Sequence, residues 1–186
     1  MSPKDVVEKI MRVYIEKGHR HYGENVTELE HALQAAEFAV QAGEPDNLVL
    51  SCLLHDYGHL LHDMGEEIAE QGIDACHEEL GAKLLSKHFP KEIVEPTRLH
   101  VAAKRYLCWK DPEYFDALSR ASRQSLQIQG GPMSDAEAKE FESNPYHELA
   151  VRVRQYDDMG KVEGMETRDI NSYRDLMTRY LTLQSA

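Results

Sequence analysis

No stretch of this 186-residue sequence is apolar for the roughly 20 residues that crossing a bilayer requires. Positive charge is scarce. Lys and Arg number 21 against 33 Asp and Glu, a formal net charge of -12. That balance argues against a nucleic-acid backbone or an anionic membrane as the main partner. It leaves room for a small anion held in a local positive pocket. Cysteine is sparse as well. Cys52, Cys76 and Cys108 are an odd number at no metal-binding spacing, so neither a disulfide framework nor a cysteine-based zinc site is expected. They read as reduced thiols, with Cys52 in the core. The first twenty residues are charged throughout and lack the apolar centre of a signal peptide. A cytoplasmic protein is the expectation. Hairpin patterns, internal repeats, low-complexity tracts and linkers are missing too. At 41% hydrophobic residues, the chain is expected to fold as one domain spanning 1–186.

What the sequence does contain is helical periodicity. Val6, Ile10, Val13 and Tyr14 share one face of a helix from Lys4 to Lys17. Thr27 and Glu30 form a capping box that opens a helix carrying His31 and ending at Gly43. Asp46 is placed as the N-cap of a buried helix, NLVLSCLLHDYG, that stops near Gly58. The run from Leu61 to Asp74 reads as loop with a short helix. Further helices are expected from His77 to before Pro90, from Pro96 to Cys108, and from Asp111-Pro112-Glu113 to before Gly130-Gly131. Ser134 and Glu137 form another capping box. Asn144-Pro145 opens a helix carrying Arg154, Asp157 and Lys161, and the last helix covers Ser172 to Leu183. The expected fold is all-α, a single helical bundle.

Six polar residues stand out against this pattern. His55-Asp56 follows the apolar run LVLSCLL, which should bury the pair. A neutral imidazole beside a carboxylate suits a borderline divalent metal such as iron, manganese or zinc. The two can share one ion or bridge two. Buried without a metal, they would be costly. His31, His77, His100 and Asp157 make sense as further ligands. His19, His21, His62, His88 and His147 have no such context and read as packed or exposed side chains.

The order His31, His55-Asp56, His77, His100, Asp157 resembles the HD-domain superfamily, whose pattern is H…HD…D on a helical bundle. The resemblance runs from about Tyr22 to Lys161. His77, in HEELG, and His100 match its di-metal branch. By that resemblance His31, His55 and Asp157 hold one ion, His77 and His100 hold the other, and Asp56 bridges them.

Such a centre can serve hydrolysis or oxygen chemistry. Two redox-inert ions activate water for phosphoester cleavage, and two irons bind dioxygen. Lys104 is four residues after His100, Arg154 and Lys161 flank Asp157, and His59 is four after His55, each spacing one helical face. Together these cations describe an anion pocket. Ser125 and Gln129 can add neutral hydrogen bonds. LEHALQAAEFA, HDYGH, QGG and DDMGK are similar to segments of the mixed-valence di-iron oxygenases. These are myo-inositol oxygenase and, more closely, the phosphonate-cleaving enzymes of PhnZ and TmpB type.

That resemblance implies two iron ions, Fe(II)/Fe(III), with O2 as co-substrate. The substrate would be 1-hydroxy-2-(trimethylammonio)ethylphosphonate or its 2-amino counterpart, yielding phosphate and glycine betaine or glycine. His59, Lys104, Ser125, Gln129, Arg154 and Lys161 would hold the substrate, and Asp56 and Lys104 would act on it. Tyr22 and Glu24 would form a lid near the substrate cation. Tyr22, Tyr57, Tyr106, Trp109 and Tyr156 lie near ligand positions in the sequence. Aromatic faces there would favour the trimethylammonium form. A metal-dependent phosphohydrolase acting on a nucleotide or phosphomonoester is the alternative.

Overall fold

The structure is a computed structural model. It describes residues 2–21, 25–61 and 76–185, and the side chains of that last stretch only as far as residue 181. Among the described residues there are ten α-helices and two 3-10 turns, with no strand and one isolated bridge between His21 and Thr27. None of these helices is long and apolar enough to cross a membrane.

Four helices make the centre. Helix α2 (Glu28–Gln41) starts at the expected capping box. The Thr27 amide donates to Glu30 Oε2 at 2.7 Å, and the Glu30 amide donates back to Thr27 Oγ1 at 3.3 Å. Helix α3 is Asp46–Leu54, α5 is Lys91–Lys110 and α9 is His147–Met159. α2 packs on α3 and α9, and α5 packs on α3 and α9, so the four close into a bundle. Leu48, Leu50, Leu53 and Leu54 are fully buried at its middle. Each such side chain contributes about 1.5–3 kcal/mol.

The other helices cover this bundle. α1 (Pro3–Lys17) buries Val6, Val7, Ile10, Met11 and Tyr14. It packs against α10 (Arg174–Ser185) and a 3-10 turn at Tyr57–Leu61. The Tyr14 hydroxyl donates to the Leu53 carbonyl at 2.6 Å, which satisfies an acceptor where α3 stops. α4 (His77–Leu85) lies against α5 and the same 3-10 turn. α6 (Pro112–Ala117), α7 (Arg120–Ile128) and α8 (Asp135–Ser143) follow. α8 packs on α5 and α9. α7 is seated by Leu126, which joins Cys108 and Leu118 in a small apolar cluster.

Several expected boundaries move. Asp46 is the first residue of α3 rather than its cap, and Pro45 stands in the cap position with no side-chain bond. α3 ends at Leu54, so His59 lies on the 3-10 turn and not on one helix face with His55. Pro96 is inside α5 instead of at its start. In that turn the Ile93 carbonyl accepts from both Ser51 Oγ and Thr97 Oγ1, each at 3.0 Å, which ties α5 to α3 next to the proline. The helix begun at Pro112 breaks at Leu118. Ser119 then caps a second helix by accepting from the Ser122 amide. The Asn144-Pro145 helix begins later, at His147, and ends before Lys161. The run from Leu61 to Asp74 falls, after Leu61, outside the described residues, as do His62, Tyr22 and Glu24.

Gly58 shows why the 3-10 turn can meet α4. A Cβ there would stand 1.9 Å from the His77 carbonyl oxygen and 3.1 Å from the Gly81 amide nitrogen, both backbone atoms. The substitution Gly58→Ala is therefore expected to cost at least about 2 kcal/mol by overpacking. Thermal denaturation checks this, and an unchanged melting temperature would contradict the close approach.

Candidate metal centre

Five elements bring the six expected residues together. His31 comes from the first turn of α2, His55 and Asp56 from the end of α3, His77 from the start of α4, His100 from α5 and Asp157 from α9. All six are buried. The two oxygens of Asp56 face opposite ways. Oδ2 lies 3.2 Å from His55 Nε2 and 3.5 Å from His31 Nε2. Oδ1 lies 3.2 Å from His77 Nε2 and 3.3 Å from His100 Nε2. Asp157 Oδ1 adds to the first side, 3.4 Å from His31 Nε2.

Backbone carbonyls decide which nitrogens look inward. His31 Nδ1 contacts the Gly160 carbonyl at 2.8 Å, His55 Nδ1 the Cys52 carbonyl at 2.7 Å, and His100 Nδ1 the Thr97 carbonyl at 2.7 Å. A carbonyl only accepts, so each Nδ1 carries the proton. Each neutral ring then presents a bare Nε2 to the interior. His31 Nε2 and His55 Nε2 stand 3.0 Å apart, and His77 Nε2 and His100 Nε2 stand 3.3 Å apart. Asp56 Oδ1 and Oδ2 and Asp157 Oδ1 are buried without a hydrogen bond. Lone pairs facing lone pairs in a dry site demand positive charge. Two nitrogens about 2.1 Å from one ion, meeting at roughly a right angle, are separated by about 3 Å. The donor set fits a pair of divalent ions bridged by Asp56.

The titration shifts express the same demand. Burial opposes charge on His31, yet Asp157 and Asp56 outweigh it and raise the ring to about 10. Burial would raise Asp56 as well. His55, His100 and His31 hold it well below the carboxylate range instead. Asp157 is likewise held low against burial, chiefly by Arg154.

Cations gather on one flank. Lys104, buried on α5 one turn after His100, donates from Nζ to Ser125 Oγ at 2.8 Å. Lys161 Nζ donates to Ser122 Oγ at 3.0 Å. Arg154 Nη2 is 3.4 Å from the same Ser122 oxygen. Arg154 is otherwise engaged with two carboxylates and a phenol: Nη1 donates to Asp157 Oδ2 at 2.7 Å, Nη2 to Asp158, and Nε to the Tyr114 hydroxyl at 3.0 Å. It orients Asp157 as well as facing the pocket. Burial, then Arg154 and Lys161, push the Lys104 ammonium down to about 7 against the pull of Asp157.

Other expected contacts are placed differently. His59 stacks on His77 with ring centres 3.7 Å apart, and its Nε2 is 3.9 Å from Asp56 Oδ1. It lies beside His77 and, with Asp56 and His77, forms a group whose ligand atoms could hold a metal ion. Gln129 caps α7, its Oε1 buried and without a hydrogen-bond donor. Four of the aromatics proposed for a cation are committed elsewhere. Tyr57 packs on Tyr14, Tyr106 donates to Glu142, Trp109 to Asp135 and Tyr156 to Glu44. The aromatic argument for a trimethylammonium group loses those four, and Tyr22 lies outside the described residues.

Sequence reasoning missed Ser122, Asp158 and Tyr114. Ser122 precedes Ser125 by three positions, a shared face once α7 is recognised. Asp158 is four residues after Arg154, an ordinary pairing distance on a helix. Tyr114 carried no signal, because its contact depends on where α6 turns back.

Comparisons with known proteins point to one family. The HD domain family model matches residues 29–123. Hydroxymethylphosphonate dioxygenase of Gimesia maris is 44% identical over 176 residues, covering 92% of this chain and 86% of that protein. The glycine-betaine-forming (1-hydroxy-2-(trimethylamino)ethyl)phosphonate dioxygenase of Leisingera caerulea is 43% identical over 176 residues, covering 94% and 90%. An uncharacterized protein of Acanthamoeba polyphaga mimivirus is 39% identical over 179 residues, covering 95% and 82%.

Two substitutions test the centre. Asp56→Ala should abolish the bridging carboxylate and lower bound metal sharply, as read by elemental analysis of purified protein. Gly160→Ala places a Cβ 3.2 Å from His31 Nδ1 and 3.1 Å from the His31 carbonyl oxygen. It should weaken metal affinity about tenfold while the chain stays folded. Wild-type metal content in Asp56→Ala would remove that residue from the ligand set.

Proposed function

Because the chain belongs to the HD-domain family, in the branch of these phosphonate dioxygenases, we propose that it is an oxygenase cleaving the carbon–phosphorus bond of a 1-hydroxyphosphonate. The supporting observation is a cationic flank of buried Lys104 and Arg154, each within one helical turn of a proposed ligand, His100 or Asp157, joined by partly buried Lys161 just past the end of α9, in a chain of net charge -12. The names of the two relatives share a hydroxyl and a phosphonate on one carbon and differ in what else that carbon carries. The proposal commits to that shared unit. Hydroxymethylphosphonate and the 2-amino and 2-trimethylammonio compounds are its candidates.

The proposed ligands are His31, His55 and Asp157 for one ion and His77 and His100 for the other, with Asp56 between. Two iron ions, Fe(II) and Fe(III), would supply the affinity for O2 and the redox change. The chain's own residues do the rest. Lys104, Lys161 and Ser125 bind the phosphonate oxygens, with His59 and Gln129 at the margins. Arg154 keeps Asp157 turned inward and adds its charge to the same face. Burial of the ligands excludes water, which strengthens each of these contacts. One 1-hydroxyphosphonate and one O2 balance to a carboxylate and phosphate with no external reductant. As the C–P bond breaks, negative charge grows on the phosphoryl oxygens, where the three cations already stand. Asp56 and Lys104 are the residues assigned closest to the reacting atoms, and Tyr22 and Glu24 are proposed as a lid. The full chain is proposed to act as one domain.

Protein grown with added iron should carry about two irons, show an EPR signal from a mixed-valence pair, and take up one O2 per phosphate released. Phosphate release from a phosphomonoester without oxygen uptake would favour the hydrolase reading instead. Lys104→Ala should retain iron and weaken phosphonate binding by about 10–100-fold, the worth of a charged hydrogen bond. Free Lys104 loses its proton as pH rises through about 7. Phosphonate affinity should therefore fall across that range more steeply in wild type than in Lys104→Ala. Parallel pH profiles would exclude Lys104 as the anion's partner.

A further inference from the structure

Gln34 lies three residues after His31 on α2, is buried, and spans 128 positions of sequence to grip the chain leaving α9. Its Nε2 donates to the Val162 carbonyl at 2.8 Å, and its Oε1 accepts from the Val162 amide at 2.9 Å. One turn earlier on the same helix, His31 Nδ1 holds the Gly160 carbonyl. Two points on α2 thus hold residues 160 and 162, and the residue between them is Lys161. Its ammonium reaches the other way, to Ser122 on α7. Past the end of α9 no helical bonding fixes this backbone, since Gly160 is the C-cap and the segment that follows is irregular.

We infer that Gln34 is a positioning residue for phosphonate recognition: its side-chain amide clamps the Val162 backbone and thereby aims the Lys161 ammonium into the anion pocket. The inference rests on the proposed role of Lys161. A side-chain amide suits the task because it donates and accepts at once, matching both groups of one peptide-backbone residue. The Gln34 side chain that makes both bonds is buried, whereas Val162 is exposed, so the amide anchors an otherwise surface segment to α2. Through His31 the same helix face also seats the proposed metal ligand. The loading of the metal and the aim of the lysine thus share one support but use different bonds.

The test is calorimetric titration of iron-loaded protein with hydroxymethylphosphonate without oxygen, alongside iron analysis. Lys161→Ala should weaken binding about tenfold or more. Gln34→Met keeps the volume and removes both bonds. It should retain iron and weaken binding at least about threefold, but by less than Lys161→Ala does. Gln34→Asn, too short to reach both groups, should behave alike. In the Lys161→Ala background Gln34→Met should add almost nothing, because the two act along one route. If Lys161→Ala binds as wild type does, the anion-pocket reading falls, and the clamp with it. A weakened Lys161→Ala beside an unaffected Gln34→Met overturns the clamp alone. Effects that simply add in the double variant, or Gln34 variants that lose iron along with affinity, would make Gln34 an ordinary structural residue and overturn the inference as well.

Discussion

The structure depends on one buried carboxylate with two occupied faces. Asp56 turns each oxygen towards a different pair of imidazole nitrogens, and neither oxygen has a hydrogen-bond donor. Such an arrangement is expensive in a dry interior unless positive charge sits within it. A bridged pair of cations satisfies both oxygens and all four nitrogens together. Protons alone satisfy them poorly, because three of the rings already spend their Nδ1 protons on backbone carbonyls.

Around that carboxylate the bundle uses each helix twice. α5 carries His100 and, one turn later, Lys104. α9 carries Asp157 and the Arg154 that orients it, and the chain just beyond α9 carries both the Gly160 carbonyl and Lys161. A proposed ligand and a pocket cation therefore come from the same rigid element. Their spacing is set by helix geometry rather than by loops, which holds the two groups in one fixed arrangement. Close packing enforces the register, because Gly58 against α4 leaves no room for a Cβ and Gly160 against α2 leaves only a tight fit.

Much of this was legible before any coordinates. The two capping boxes, Thr27-Glu30 and Ser134-Glu137, and the Asp111-Pro112 start are local patterns, and local chemistry made them as expected. The His-Asp pair after an apolar run and the four further candidate residues, in order along the chain, are side chains that the fold brings together. The misreadings share a cause. Local pattern makes Pro96 a helix start, although tertiary packing carries α5 through it from Lys91. His59 was placed by helical spacing, although α3 ends at Leu54. The aromatics near ligand positions were assigned to a pocket, although tertiary packing turns four of them to other partners.

By itself, the sequence determined which chemical groups are present and roughly where they sit along the chain: imidazoles and carboxylates of the kind that can hold ions, and lysines close to them. Periodicity and side-chain type are properties of neighbours along the chain, so they can be read from it. Only the tertiary structure decided how each group is used. It set which imidazole nitrogen keeps its proton, made Asp56 two-faced, committed Arg154 to Asp157 and Asp158, and set Gln34 against Val162. Those outcomes depend on partners up to 129 residues apart, brought within 3 Å by the packing of the bundle.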